Sequence, residues 1–146
     1  MVGTIHKKKS SNQIAIKNFK EIREITKTLI SSLNLGLNID GLNDYHRAED
    51  YYRGLVIYGS RIGSILFDIG YDDGPAFERY LELSTYLNSF INKNYQKYRK
   101  YKNCYILTKS DVAHAEGLIS AIDKEIEELV SKLSQKRFKR FFTFFK

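Results

Sequence analysis

The sequence predicts an all-α fold, a single-domain four-helix bundle. Three observations carry this: one proline in 146 residues, apolar residues at helical spacing through four long segments, and a length that suits one domain of about 100–200 residues. Consecutive helices joined by short connections run antiparallel, so the expected arrangement is up-down-up-down. The chain divides into a basic N-terminal arm at 1–11, the bundle at 12–135 and a basic, aromatic C-terminal tail at 136–146.

Each segment supports its helix in turn. Between Asn12 and Leu33, the residues Phe19, Ile22, Thr26, Leu29, Ile30 and Leu33 form one stripe, and Ser10, Ser11 and Asn12 offer oxygens to the first free N–H groups. Between Asn43 and Ile69 the seam runs Ala48, Tyr52, Leu55, Gly59, Ile62, Leu66, Ile69, with Asp44 as cap and Gly70 as terminator. Pro75 suits the first turn of a third helix, which carries Phe77, Tyr80, Leu81, Leu87, Phe90 and Ile91 on towards Tyr98. From Ser110 a fourth helix carries Val112, Ala115, Leu118, Ile119, Ile122, Ile126, Leu129 and Leu133, with Asp111 and Glu116 early, where they suit the helix dipole. Gly59 and Gly63 each cost about 1 kcal/mol relative to alanine in a helix interior. They are expected to mark a close helix approach or room for a bulky ring opposite.

Two connections differ from simple turns. Leu33, Leu35, Leu37 and Ile39 alternate with polar residues or glycine, and Cys104 to Thr108 is a second short apolar run. Two readings stand side by side: two irregular loops whose leucines plug the bundle, or a minor two-stranded pairing of these segments.

Composition narrows the class. With 42% hydrophobic and 14% aromatic residues the chain is too apolar to be disordered. Cys104 alone makes neither an internal disulfide nor a multi-cysteine zinc site. Polar Ser10 to Gln13 follow Lys7, Lys8 and Lys9 where a secretory signal needs an apolar stretch, and Leu55 to Ile69 is interrupted by Arg61 and Asp68. The expected location is therefore intracellular, in the cytoplasm or within a virion, with no transmembrane helix.

The net charge of +7 hides alternating blocks: +5 over residues 1–30, −4 over 31–75, +5 over 76–109, −4 over 110–135 and +5 over 136–146. Asp44, Glu49, Asp50, Asp111 and Glu116 are expected to neutralise part of the middle basic block. At the termini Asp68, Asp72, Asp73 and Glu78 are expected to offset the basic residues only in part. Lys7, Lys8, Lys9 and Lys17 with Lys136, Arg137, Lys139 and Arg140 are expected to form a basic pole that binds nucleic-acid phosphate, DNA or RNA.

Two aromatic patterns add to this. If the tail is helical, Phe138, Phe141, Phe142 and Phe145 fall at i, i+3, i+4 and i+7, which suits docking into another subunit, insertion into an anionic membrane surface, or continuation of the core. Tyr95, Tyr98 and Tyr101 alternate with Lys93, Lys97, Arg99, Lys100 and Lys102 and are candidates for base stacking; the competing expectation is that their rings are buried at the end of an amphipathic helix.

Catalytic signals are weak. There is no phosphate loop, nucleophile elbow or dinucleotide turn, so no catalytic residue, metal or cofactor is expected. The pairs His46-x-x-Glu49 and Asp111-x-x-His114 are brought to one end of the bundle but depart from the di-metal pattern. The function expected is a non-enzymatic structural or nucleic-acid-binding protein that self-assembles or joins other protein subunits. In layout, though in no motif, it resembles the coat proteins of filamentous archaeal viruses, helical bundles with a DNA-facing basic arm. The alternatives are a peripheral membrane or adaptor protein and, second, a helical metal-dependent enzyme.

Overall fold

The computed structural model describes residues 9–37 and 44–144, with side chains through residue 135. Four helices account for most of these residues: α1 (Asn12–Gly36), α2 (Tyr45–Asp68), α3 (Pro75–Tyr101) and α4 (Lys109–Phe144).

Local chemistry sets the boundaries. Ser11 caps α1 by accepting from the Ile14 N–H at 3.4 Å, and the Asp44 carboxylate caps α2 by accepting from the His46 N–H at 2.9 Å. Gly70, at φ 81°, ends α2: its N–H donates to Phe67 and that of Tyr71 to Leu66, a pairing that satisfies two terminal carbonyls. Pro75 opens α3. Thr108 and Asp111 cap α4 reciprocally, the threonine hydroxyl accepting from the Asp111 N–H and the aspartate from the Thr108 N–H, both at 3.0 Å.

Each helix packs on two others. Contacts join α1 to α2 and α4, and α3 to α2 and α4, with none between α1 and α3 or between α2 and α4 among the described residues. The four therefore ring a single apolar core that includes Phe19, Leu29, Tyr52, Ile62, Phe90 and Ile119. The Ser10 N–H donates to the Ile69 carbonyl at 3.0 Å, joining the start of α1 to the end of α2, while the Tyr51 hydroxyl donates to Ser32 at 2.6 Å at the other end of the same pair. Against α4, Thr26 meets Asp123 and Asn34 meets Glu116, each at 2.8 Å.

Two expectations need correction. No strand occurs among the described residues. Leu33 and Leu35 belong to α1, because Leu29, Leu33 and Gly36 continue its buried stripe and leucine is a good helix former; Ile39 lies outside the described residues. The Cys104–Thr108 segment is an irregular connection in which Cys104 and Leu107 are buried, so its apolar residues close the bundle end. In α3 the buried register is Ala76, Leu83, Leu87, Phe90 and Asn94, and Leu81 faces outward.

Gly59 and Gly63, inside α2, mark close approaches. A Cβ at Gly63 would run into the Tyr80 ring, and one at Gly59 would lie 3.2 Å from Leu87. Both glycines admit α3 side chains to the surface of α2.

Candidate nucleic-acid interface

The α3 end gathers aromatic and basic side chains. Tyr95, Tyr98 and Tyr101 are 47%, 38% and 64% exposed, so the expectation that they are buried fails. Tyr98 stacks on Tyr45 from the start of α2, with ring centroids 4.3 Å apart and planes at 26°. The Lys102 ammonium lies 5.3 Å from the centre of the Tyr98 ring, and that of Lys100 lies at the same distance from Tyr101. Partial burial, then the negative Glu49 nearby, push the Tyr45 hydroxyl up, so this ring is neutral near pH 7.

A buried polar lattice fixes this surface from below. Asn94, fully buried, accepts from the Tyr105 N–H at 2.8 Å and donates to the Tyr45 carbonyl at 3.3 Å. One amide thus ties the start of α2, the end of α3 and the connection into α4. The Tyr52 hydroxyl donates to the Tyr105 carbonyl at 2.6 Å, and the Tyr105 hydroxyl donates to Asp111 at 2.7 Å. Burial alone would raise the Asp111 carboxyl, but the Thr108 N–H, the Tyr105 and Thr108 hydroxyls and the Lys93 charge outweigh it and hold the group below the ordinary aspartate range. Burial followed by this bond to Asp111 pushes the Tyr105 hydroxyl well up.

The expected neutralisation of the basic block reaches only Lys93, whose charge acts on Asp111, and forms no ion pair with the others among the described residues. Glu49 pairs with Arg53 on its own helix at 3.0 Å, Glu116 accepts from Asn34, and Asp111 is enclosed by its cap and Tyr105. Among the described residues no carboxylate lies within ion-pair distance of Lys97, Arg99, Lys100 or Lys102. Lys93 behaves differently, since its ammonium sits 5.5–5.7 Å from the Tyr86, Phe90 and Tyr105 ring centres and its charge acts on Asp111.

No family model, curated protein or solved structure matches the chain.

The terminal candidates are described only in part. Lys9 and Lys17 are exposed, Lys9 with its ammonium 5.0 Å from the Tyr71 ring centre. Lys7 and Lys8 lie outside the described residues. Lys136, Arg137, Lys139 and Arg140 fall on α4, as do Phe138, Phe141 and Phe142, but their side chains are outside the described set, and Phe145 lies outside it altogether.

His46 and His114 join no metal site among the described residues. His46 lies edge-on to Tyr45, His114 lies 4.4 Å from the Tyr86 ring centre, and no group of three potential ligands comes together among the described residues. Nor is any described helix long and apolar enough to cross a membrane. Sequence reasoning missed Tyr45 and Asn94. A polar residue one turn beyond Phe90 on the buried α3 stripe was the available signal for Asn94.

Proposed function

We propose that the chain is a non-enzymatic structural protein, intracellular or carried in a virion, which holds DNA or RNA by its phosphates and assembles with further subunits. A coat or nucleoprotein component fits this description. The observation that carries the reading is the α3 end, where four cations have no carboxylate partner among the described residues, while Glu49, Asp111 and Glu116 are engaged elsewhere. On a chain of net charge +7, such a surface attracts polyanions.

A second basic surface follows if the ring of helices is up-down-up-down, as the crossed contacts Ser10–Ile69 and Tyr51–Ser32 support. Exposed Lys9 and Lys17 mark the start of α1. The register of Thr26 against Asp123 and Asn34 against Glu116, continued along α4, leads to the turn holding Lys136 and Arg137. Lys7, Lys8, Lys139 and Arg140 would extend this pole, with Phe138, Phe141, Phe142 and Phe145 as the assembly anchors.

Fluorescence anisotropy with labelled oligonucleotides across a salt series tests the reading. Log affinity is expected to fall linearly with log salt, by about 0.9 per phosphate contact on duplex and about 0.7 on single strands. Absence of binding at low salt would sink it. The continuity of α4 as far as Phe144 favours one other reading, a peripheral membrane or adaptor protein whose C-terminal helix lies on an anionic surface. Under that reading the full chain floats with anionic liposomes and loses flotation when residues 137–146 are deleted; under the first it does not float.

A further inference from the structure

We infer that Tyr45, Tyr95, Tyr98 and Tyr101 form a stacking platform for unpaired bases, so that the α3 end takes single-stranded nucleic acid in preference to duplex. This rests on the nucleic-acid reading above and names the ligand class of the same surface.

Two sets among the eleven tyrosines contrast. Tyr51, Tyr52, Tyr86 and Tyr105 are buried or half-buried, and each hydroxyl donates to a protein oxygen. Tyr95, Tyr98 and Tyr101 sit on the surface with no such bond among the described residues, so neither burial nor hydrogen bonding accounts for the rings. Spaced three residues apart, they climb the helix by about 4.5 Å per step, while the stack on Tyr45 sets the orientation of Tyr98 before any ligand arrives.

The lysines complete the arrangement. In the free protein Lys100 and Lys102 rest over the Tyr101 and Tyr98 rings, an interaction that is weak at exposed sites. A base arriving on a ring face displaces the ammonium, which then meets the adjoining phosphate. Lys102 is also the one non-glycine described residue with positive φ, at 57°. A lysine thus stands where glycine fits with less strain, and such outliers gather at functional surfaces. Duplex hides the faces of its bases and can use only the cations; a single strand uses both.

The full chain should be titrated at one low salt concentration with three labelled oligonucleotides of equal length: a mixed-sequence single strand, its duplex, and an abasic strand with the same phosphates and no bases. The single strand is expected to bind at least roughly tenfold more tightly than the abasic strand, one stacked base being worth about that factor or more. The variant Tyr95→Ala/Tyr98→Ala/Tyr101→Ala, with wild-type helicity and melting verified, should bring the single strand down to the abasic level and leave duplex binding unchanged. Equal binding of abasic and base-bearing strands, or a triple variant that binds the single strand normally, overturns the platform alone. Equally tight binding of polyglutamate overturns it in favour of an acidic protein partner. Failure of every oligonucleotide to bind overturns the phosphate reading as well.

Discussion

Helices α2 and α3 both stop on a residue in the left-handed region, Gly70 at φ 81° and Lys102 at φ 57°, and the two stops serve different ends of the molecule. Around Gly70 the chain turns with the residue type the geometry favours, the Tyr71 ring packs edge-on to buried Phe19, and the Ser10 N–H ties α1 to Ile69. Around Lys102 the residue type suits the geometry less, the nearby rings are exposed, and a buried lattice of Asn94, Tyr105 and Asp111 holds the surface firm. The turn at Gly70 itself is arranged for stability. The end at Lys102 combines a stable floor with a surface that stability does not require.

If that division is right, the floor and the surface of the α3 end respond very differently to truncation. Phe90, fully buried and packed against Tyr52, Tyr86 and Tyr105, should cost about 3–5 kcal/mol when changed to alanine. Tyr101→Ala, 64% exposed in the wild type, should stay within about 0.5 kcal/mol. Urea denaturation of both variants checks this, and a large loss for Tyr101→Ala would erase the contrast. Next in size, Asn94→Ala leaves the Tyr105 N–H and the Tyr45 carbonyl without their partner. About 1–3 kcal/mol should be lost, and hydrogen exchange at the Tyr105 amide should quicken by more than exchange in the middle of α1.

How much of this was legible in the sequence differs between floor and surface. The stripes of α1, α2 and α4 were readable because their apolar residues keep strict helical spacing, and Tyr80 against Gly63 bears out the expected bulky neighbour. The α3 register was harder, since Leu81 and Ile91 offer a rival stripe and the true one ends on polar Asn94. Alternating leucines at Leu33 to Leu37 satisfy both a strand period and, with Leu29, a helical one; only packing against a neighbour decides. The basic and aromatic pattern of the α3 end was visible, but its exposure was not. Neutralisation depends on which partner a carboxylate finds, and Glu49 finds Arg53 one turn along its own helix rather than a lysine of α3.

Acid titration separates the polar floor from a second, half-buried aspartate. Asp111 is held below its ordinary 3.8, so the stability it contributes is present above that value and is lost as pH falls through its lower folded value. Asp123, set against Thr26 between α1 and α4, is raised above 3.8, mainly by burial. Its contribution has the opposite sign: it is fully present below 3.8 and lost as pH rises through the raised folded value. Asp111→Asn should therefore flatten the acid limb of a stability profile, while Asp123→Asn should remove a decline on the higher-pH side. Melting temperatures measured at half-unit steps from pH 2.5 to pH 7 read both, and profiles that change in the same direction would contradict the assigned environments.

The smallest effect sharpens the comparison of the two helix stops most directly. At Gly70 a side chain must enter the left-handed region, so Gly70→Ala should destabilise by about 1–2 kcal/mol. At Lys102 the reverse exchange, Lys102→Gly, relieves that conformation and should stabilise by up to about 1 kcal/mol, less whatever the ammonium contributes over Tyr98. The same variant removes one cation from the proposed interface, which should weaken single-strand binding and lower the salt slope by about 0.7. Stability and binding would then move in opposite directions from one substitution, as expected where a ligand rather than the fold accounts for the residue. A variant that is more stable and binds with an unchanged slope would make Lys102 an ordinary, slightly strained helix end and leave Lys97, Arg99 and Lys100 to carry the charge.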